Sequence, residues 1–528
     1  MKKQNFFKGS LILMISAAAA KILGALFKIP LTNMLGGVGM GYFSCAYSLF
    51  MPIYALVVTG LSTAVARMTA QSAALGIYEN ARRIRKTALI LFSAAGAVGS
   101  LAVIVFARPF CRYAADCTEA ELAVLMIAPS VLFGCITAVE RGYYEGLSNM
   151  YPTAFSQIVE GLVKVGAGLF LCGFVMKNEE AVLAYFPNIT DIRAVSAAAG
   201  IFGVTLSSVG AALYFAVMRL FGRNKLPKGS DGLLMSRRGI ARELVSTALP
   251  VGISAVVTNL TALIDMGTVI GCISYFGSAG ERPSGVTEAE LPHFIYGSFA
   301  GIALTVFNLV PSVTNMLGKG ILPSITEAWE KRDSEQLKKR SMQALTASAA
   351  MAVPAAFGIG ALSGEILTFL FPGQSDEVSV CINALRLLMP GMVCLCVPYP
   401  LFSMLQAIGK AAVPLKIMIT GAVLKLVGNI ILIPFMGVDG AAVSTSICYV
   451  FILAAAVVVY FREAGIKPEV RPFLSILYSG AMCGAAAYLV SDLLELHNMS
   501  GVIIIAASVT AGAALYFIFM ALLRGSYC

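Results

Sequence analysis

Residues Ser10–Gly36 read SLILMISAAAAKILGALFKIPLTNMLG, an apolar run of membrane length that carries Lys21 and Lys28. A lysine near the middle of a bilayer costs about 2.5–3.5 kcal/mol. Seven positions separate the two. That is close to two helical turns, so on a helix they share one face, about 10 Å apart along the axis. Such a face has to meet protein or water rather than lipid, which makes the segment one wall of a larger helical assembly.

The rest of the chain supplies that assembly. Of its 528 residues, 58% are hydrophobic and only 12% are charged, with a mean hydropathy of +0.83. A soluble protein of this size needs more charge to cover its surface, so the composition points to a polytopic membrane protein. Spanning runs fall at about 8–34, 41–66, 86–107, 121–141, 152–176, 194–218 and 243–275. They continue at about 293–318, 341–370, 380–408, 411–436, 439–461, 472–491 and 499–523. The expected fold class is therefore all-α, with fourteen transmembrane helices.

The net charge of +10 would suggest nucleic acid in a soluble protein; here it reads as the excess of lysine and arginine in cytoplasmic loops. With the N-terminus inside, 28 basic residues fall in inner loops, 5 in outer loops and 5 within spans. That alternation places both termini in the cytoplasm. A cleaved secretory signal is disfavoured, because the apolar pattern resumes past Lys21. No loop exceeds about 25 residues, too little for the catalytic domain of a membrane glycosyltransferase or ligase, so no enzyme is expected. The segment Ile321–Arg340, which holds the only tryptophan, Trp329, reads as an interfacial helix on anionic lipid headgroups. The twelve cysteines lie mostly inside apolar runs as small buried thiols; only Cys111 and Cys117 share an outer loop and could pair. With two histidines, His293 and His497, no metal site is argued.

A repeat links the halves. Glu145-Gly146-Leu147-Ser148-Asn149, Pro152 and Lys164 correspond to Gln406-Ala407-Ile408-Gly409-Lys410, Pro414 and Lys425, at an offset of 261 or 262 residues. Spans 1–6 and 7–12 then form two six-helix bundles with pseudo-two-fold symmetry, followed by two appended helices. The expected domains are 1–220, a basic cytoplasmic linker at 221–242, 243–461, and 462–528. Transporters built from parallel repeats place their site between them.

The cations within spans are Lys21, Lys28, Lys164, Arg386 and Lys425. Glu160 and Lys164 are four apart and can neutralise each other on one helix. Arg386 can snorkel to the outer surface, and Lys28 can do so from the outer end of its span. Lys21 lies too deep for that. Asp265, beside Asn259 and Thr261, either pairs with a lysine of the first span or binds a coupling cation. A net basic cavity suits an anionic substrate, and lysine is a flexible point charge for phosphate.

The runs AKILGALFKIPLTNMLGGVGMGYF and GLSTAVAR (Gly60–Arg67) resemble the opening of polysaccharide-type flippases of the MATE-like (MOP) superfamily. GYYEGLSNMYPTAFSQIVEGLVKV (Gly142–Val165), ALIDMGTV around Asp265, YGSFAGIALTVFNLVPSV (Tyr296–Val313), LPSITEAW (Leu322–Trp329) and LQAIGKAAVP (Leu405–Pro414) continue the likeness over nearly the whole chain. It is greatest to the branch of stage V sporulation protein B and its lipid II flippase relatives. The resemblance implies a V-shaped pair of bundles around a central cavity. It also implies alternating access, by which an undecaprenyl-pyrophosphate-linked saccharide crosses the bacterial plasma membrane. The family's basic pair in span 1 maps onto Lys21 and, with one extra residue, Lys28. Gly41 stands where MurJ-type flippases open span 2 with an aspartate, and His293–Gly318 holds no arginine, which favours the sporulation branch.

On this reading the substrate-binding residues are Lys21, Lys28, Asp265, Lys425, Lys164 and Glu160, and there is no cofactor beyond a coupling ion of open identity. The partners are a lipid-linked glycan, anionic lipids at the cytoplasmic loops and envelope-synthesis proteins, with no nucleic acid. Two rival readings stand beside it: a cation-coupled drug exporter of the same superfamily, and a non-transporting membrane scaffold for envelope synthesis.

Overall fold

A computed structural model describes residues 6–185, 191–221, 234–277, 283, 286–410, 412–497 and 499–525. The expected basic linker at 221–242 falls largely on 222–233, outside the described residues, as do Lys2, Lys3, Glu281 and Arg282. Among the described residues the fold is all helical. The chain forms two compact units, Met1–Gly267 and Thr268–Cys528.

The first unit opens with α1 (Phe6–Tyr54), α2 (Gly60–Ala74) and α3 (Tyr78–Tyr113). It continues with α4 (Glu121–Ile127), α5 (Pro129–Gly146), α6 (Tyr151–Lys177), α7 (Glu179–Tyr185) and α8 (Ile192–Phe221). α9 (Arg237–Phe276) begins in the first unit and ends in the second. The second unit adds α10 (Leu291–Ser298), α11 (Leu304–Phe307), α12 (Leu309–Glu330), α13 (Ser334–Ala361) and α14 (Ser363–Leu370). It closes with α15 (Ser375–Cys396), α16 (Pro398–Ala407), α17 (Ala412–Met436), α18 (Val438–Ala464), α19 (Arg471–Leu496) and α20 (Gly501–Gly525).

Long apolar runs become helices because a membrane leaves each backbone N–H and C=O no partner outside its own segment. The ends are written in the sequence. Prolines occupy the first turns of α5, α6, α10, α16 and α19, where their missing N–H has nothing to lose. Asp333 caps α13 by accepting from the Gln336 amide at 2.9 Å. Gly465 ends α18 in a left-handed conformation, as a C-terminal glycine does.

Among the described residues twelve helices are long and apolar enough to cross a membrane, or thirteen with Leu291–Phe307 and Leu309–Asn315 counted as one span bent by 46°. The sequence led us to expect fourteen. The difference arises at the start, where one continuous apolar stretch, Ile15–Ala73, has 59 residues. About 20 residues cross a bilayer. α1 is broken inside this stretch at Gly36, whose φ of 64° and ψ of −174° lie outside helical space and are open to glycine.

Two π-helical segments, Ala55–Thr59 after α1 and Phe299–Ala303 after α10, interrupt the second and eighth expected spans. The division between units falls inside α9 because the first part of that helix packs on the first unit. A Cβ on Gly60 would lie 2.2 Å from the Ala248 carbonyl oxygen, and one on Gly252 would lie 2.4 Å from that of Leu56. The core here runs through Leu61, Val65, Ile84, Phe92, Val139 and Phe215. In the second unit it runs through Leu345, Leu401, Met404, Ile452 and Tyr460, with the Ser341 and Tyr460 hydroxyls 2.6 Å apart.

The single interfacial helix expected over Ile321–Arg340 is instead a corner. α12 runs to Glu330, Arg332 turns with φ 54°, and α13 starts under the Asp333 cap. Glu327 binds Lys331 at 2.6 Å and Arg340 at 3.4 Å, and these cations hold its carboxyl below the usual carboxylate range. Trp329 packs against the core of the unit. The described cysteines are free thiols, Cys111 and Cys117 among them.

Candidate functional site

The charged cluster of the first unit is built on the seam between α1 and α6. Ser16 donates to Gln157 at 2.9 Å, and Phe27 is buried between the helices. Lys28 is half-buried on α1, its backbone carbonyl accepting from the Thr32 hydroxyl at 2.8 Å. On α6 the Lys164 ammonium stands 5.0 Å from the centre of the Phe27 ring and 5.8 Å from that of Tyr47. Such a cation over an aromatic face is stabilised by about 0.5–2 kcal/mol. Lys28 lies within electrostatic reach of Lys164. The Lys164 ammonium thus stands beside a ladder of rings, Phe43, Tyr47, Phe50 and Tyr54, with successive centroids 4.9, 6.0 and 5.0 Å apart. Lys21 is exposed two turns earlier on α1.

Glu160 does not pair with Lys164, contrary to the reading from spacing. It accepts from the Arg141 guanidinium of α5 at 2.7 Å, while Arg141 Nε donates to Ser156 Oγ at 2.8 Å. A planar guanidinium satisfies a carboxylate and a hydroxyl together, which one ammonium does not match. The exchange leaves Lys164 facing aromatic rings instead of a carboxylate.

A second cluster lies nearby. Glu140, 1% exposed, accepts from Arg85 at 2.6 and 3.2 Å and from Arg219 at 2.5 Å. Arg85 also sits 4.7 Å from the Tyr143 ring centre. This cluster ties α3, α5 and α8 together and is structural in character.

Asp265 is buried on α9, and Lys425, 3% exposed, is buried on α17. Around Lys425, the Ser444 hydroxyl donates to its carbonyl at 3.0 Å, and one turn later Asn429 donates to Thr268 at 2.8 Å. Arg386 donates to Ser363 at 2.8 Å and lines two adjoining cavities of the second unit. One, of about 690 Å³, is apolar apart from Arg386 and is walled by Val353, Phe357, Met389, Val393 and Leu477. The other, of about 560 Å³, adds Glu365, Asp492 and Glu495. Among the described residues no group of His, Cys, Asp and Glu is placed to hold a metal ion.

Sequence reading, which puts Arg141 in a loop, misses its role, and it misses the ring ladder. The ladder's signal is present, since positions 43, 47, 50 and 54 follow helical spacing along one face.

Residues 6–329 match the family described as Polysaccharide biosynthesis protein, and residues 294–523 match the one described as Lipid II flippase MurJ. The chain is 24% identical to the Lipid II flippase MurJ of Bacillus subtilis (strain 168), over 97% of this chain and 94% of that protein. It is 23% identical to Stage V sporulation protein B of the same organism, over 99% and 96%. A solved Lipid II flippase MurJ in an inward closed conformation matches at a TM-score of 0.70 and 14% identity, covering 98% of this chain and 99% of that one. An inward-facing multidrug resistance MATE family transporter of the MOP superfamily matches at 0.63 and 17%, covering 84% and 93%. The two structural matches establish a shared fold.

Proposed function

The chain belongs to the polysaccharide biosynthesis protein family, and from that premise we propose that it is a flippase for an undecaprenyl-pyrophosphate-linked saccharide. It is a multi-pass protein of the bacterial plasma membrane. In the proposed cycle it carries its substrate across by alternating access, with no covalent chemistry, for cell-wall, spore-cortex or polysaccharide synthesis. Fourteen crossings with both termini cytoplasmic complete the proposal.

The observation that carries it is the Lys164 ammonium over aromatic rings, with Lys28 within electrostatic reach of it and Glu160 occupied by Arg141. Two ammonium groups so placed suit a pyrophosphate, which accepts charge-assisted hydrogen bonds from both. The rings of Tyr47 and Tyr54 offer flat faces for a sugar. Lys21, exposed and two turns away, serves as the first cation that an entering anion meets.

The experiment is depletion of the protein followed by a sidedness assay for lipid-linked precursor, in cells without a redundant flippase. Precursor accumulating on the inner leaflet supports the proposal; precursor reaching the outer leaflet at the normal rate rejects it. Burial of Asp265 favours one alternative, a cation-coupled exporter. Transport of organic cations that survives Lys28→Gln and is lost in Asp265→Asn would establish that alternative.

A further inference from the structure

A cleft of about 820 Å³ in the second unit opens where α13, α19 and α20 meet. Its charge is segregated. Lys338, Lys339 and Arg471 stand at one end, and the rest is mostly apolar, with Met342, Ile476 and Met520 beside the uncharged polar Gln343, Thr346 and Ser475. Of the acidic residues at the charged end, Glu469 is taken by Lys338 at 2.6 Å. Glu335 is exposed one turn before Lys339. Among the described residues neither Lys339 nor Arg471 makes an ion pair. Arg471 also begins α19, so the positive end of that helix dipole adds to the same spot. Beyond the apolar stretch the Tyr516 hydroxyl donates to the Ala350 carbonyl at 3.0 Å, joining α20 to α13.

We propose that this cleft is a binding site for one anionic phospholipid, its phosphate held between Lys339 and Arg471 and its acyl chains laid along Met342, Ile476 and Met520. The cations alone would suit any phosphate. The apolar remainder selects an amphiphile, because exposing that wall to water is unfavourable and an acyl chain covers it. The cleft is also set into a helix bundle that crosses the membrane, where lipid is the abundant occupant. Bound there, the lipid joins the α19–α20 hairpin to α13. The site does not depend on which substrate the protein carries.

The test uses the full-length protein in nanodiscs of phosphatidylcholine, with and without phosphatidylglycerol. Two readouts apply: phosphatidylglycerol retained through a delipidating wash, and the thermal midpoint. Wild type should retain phosphatidylglycerol in preference to phosphatidylcholine and gain thermal stability from it. In Lys339→Gln/Arg471→Gln the affinity should fall about 25-fold, from roughly fivefold per cation, and the thermal gain should disappear. Ala347→Trp places bulk in the lining of the cleft without changing charge, and should lower retention as well. It keeps the test readable if the double variant does not fold. Equal retention of the two lipids by wild type, unchanged retention in both variants, or an equal thermal gain from inorganic phosphate alone would overturn the proposal.

Discussion

At the corner between α5 and α6, the amides of Leu147, Ser148 and Asn149 donate to the carbonyls of Tyr143, Glu145 and Tyr144. At the corner between α16 and α17, the amides of Ile408, Gly409 and Lys410 donate to those of Met404, Gln406 and Leu405. Each partner stands 261 positions from its counterpart, and the central residue is left-handed in both, with φ 57° at Ser148 and 82° at Gly409. The side chains around these matching backbones differ. Glu140, held by two arginines, corresponds to Leu401, fully buried in an apolar core. Arg141 and Glu160 correspond to Phe402 and Gly421. Lys164, half-buried over rings, corresponds to Lys425, which is 3% exposed. The difference teaches that the repeat conserves its turn while one copy carries an ionic lattice and the other a packed core. The lattice frees Lys164 for an anion; the core encloses Lys425.

Copying one unit into the other tests that contrast. The largest effect is expected from Glu140→Leu, which installs the residue found at the matching position of the second unit. It strands Arg85 and Arg219, and removing one partner of a buried ionic cluster costs about 3–5 kcal/mol. Thermal unfolding in detergent should show a large fall in midpoint. Arg85→Met/Glu140→Leu/Arg219→Met should recover most of it, since a packed apolar replacement of a buried ionic cluster is often neutral. A stable single variant would break the comparison.

Next come the two lysines. Lys164→Met should reduce binding of a pyrophosphate lipid about tenfold or more, from the roughly 1.5–3 kcal/mol of a hydrogen bond to a charged group. Its effect on stability should be small. Lys425→Met should do the reverse, lowering the unfolding midpoint more than substrate binding. Equal effects of the two variants in both assays would erase the distinction between a site lysine and an enclosed one.

The smallest effect lies in the turns. Ser148→Gly should stabilise the first corner by roughly 0.5–1 kcal/mol, because a side chain is strained at positive φ. Gly409→Ser should destabilise the second corner by a similar amount. Opposite shifts in thermal midpoint are expected. Shifts of the same sign would mean that the shared backbone does not impose the same constraint twice.

Much of this is legible in the sequence because it depends on local chemistry. Apolar length marks the helices, first-turn prolines mark their starts, and the turn around Ser148 announces the one around Gly409. The sequence separates the first two spans at about 34–41, and the helix breaks there at Gly36, although the apolar helical stretch Ile15–Ala73 counts as one. The site is half legible. Lys28 and Lys164 stand out as charges in apolar runs, but spacing on one helix says nothing of the neighbouring helix. Glu160 has a partner available four residues away, yet Arg141 reaches it from α5 at 2.7 Å with Ser156 to share. Pairing of that kind is decided by packing between helices, which a pattern along one helix does not contain.

The central claim is that Lys28 and Lys164 together receive a pyrophosphate. Its most direct test is the affinity of the purified full-length protein for an undecaprenyl-pyrophosphate-linked saccharide, in wild type and in Lys28→Gln/Lys164→Gln. Removing two charge-assisted hydrogen bonds should weaken binding about 100-fold while the thermal midpoint stays close to that of wild type. Affinity unchanged in the folded double variant would contradict the account.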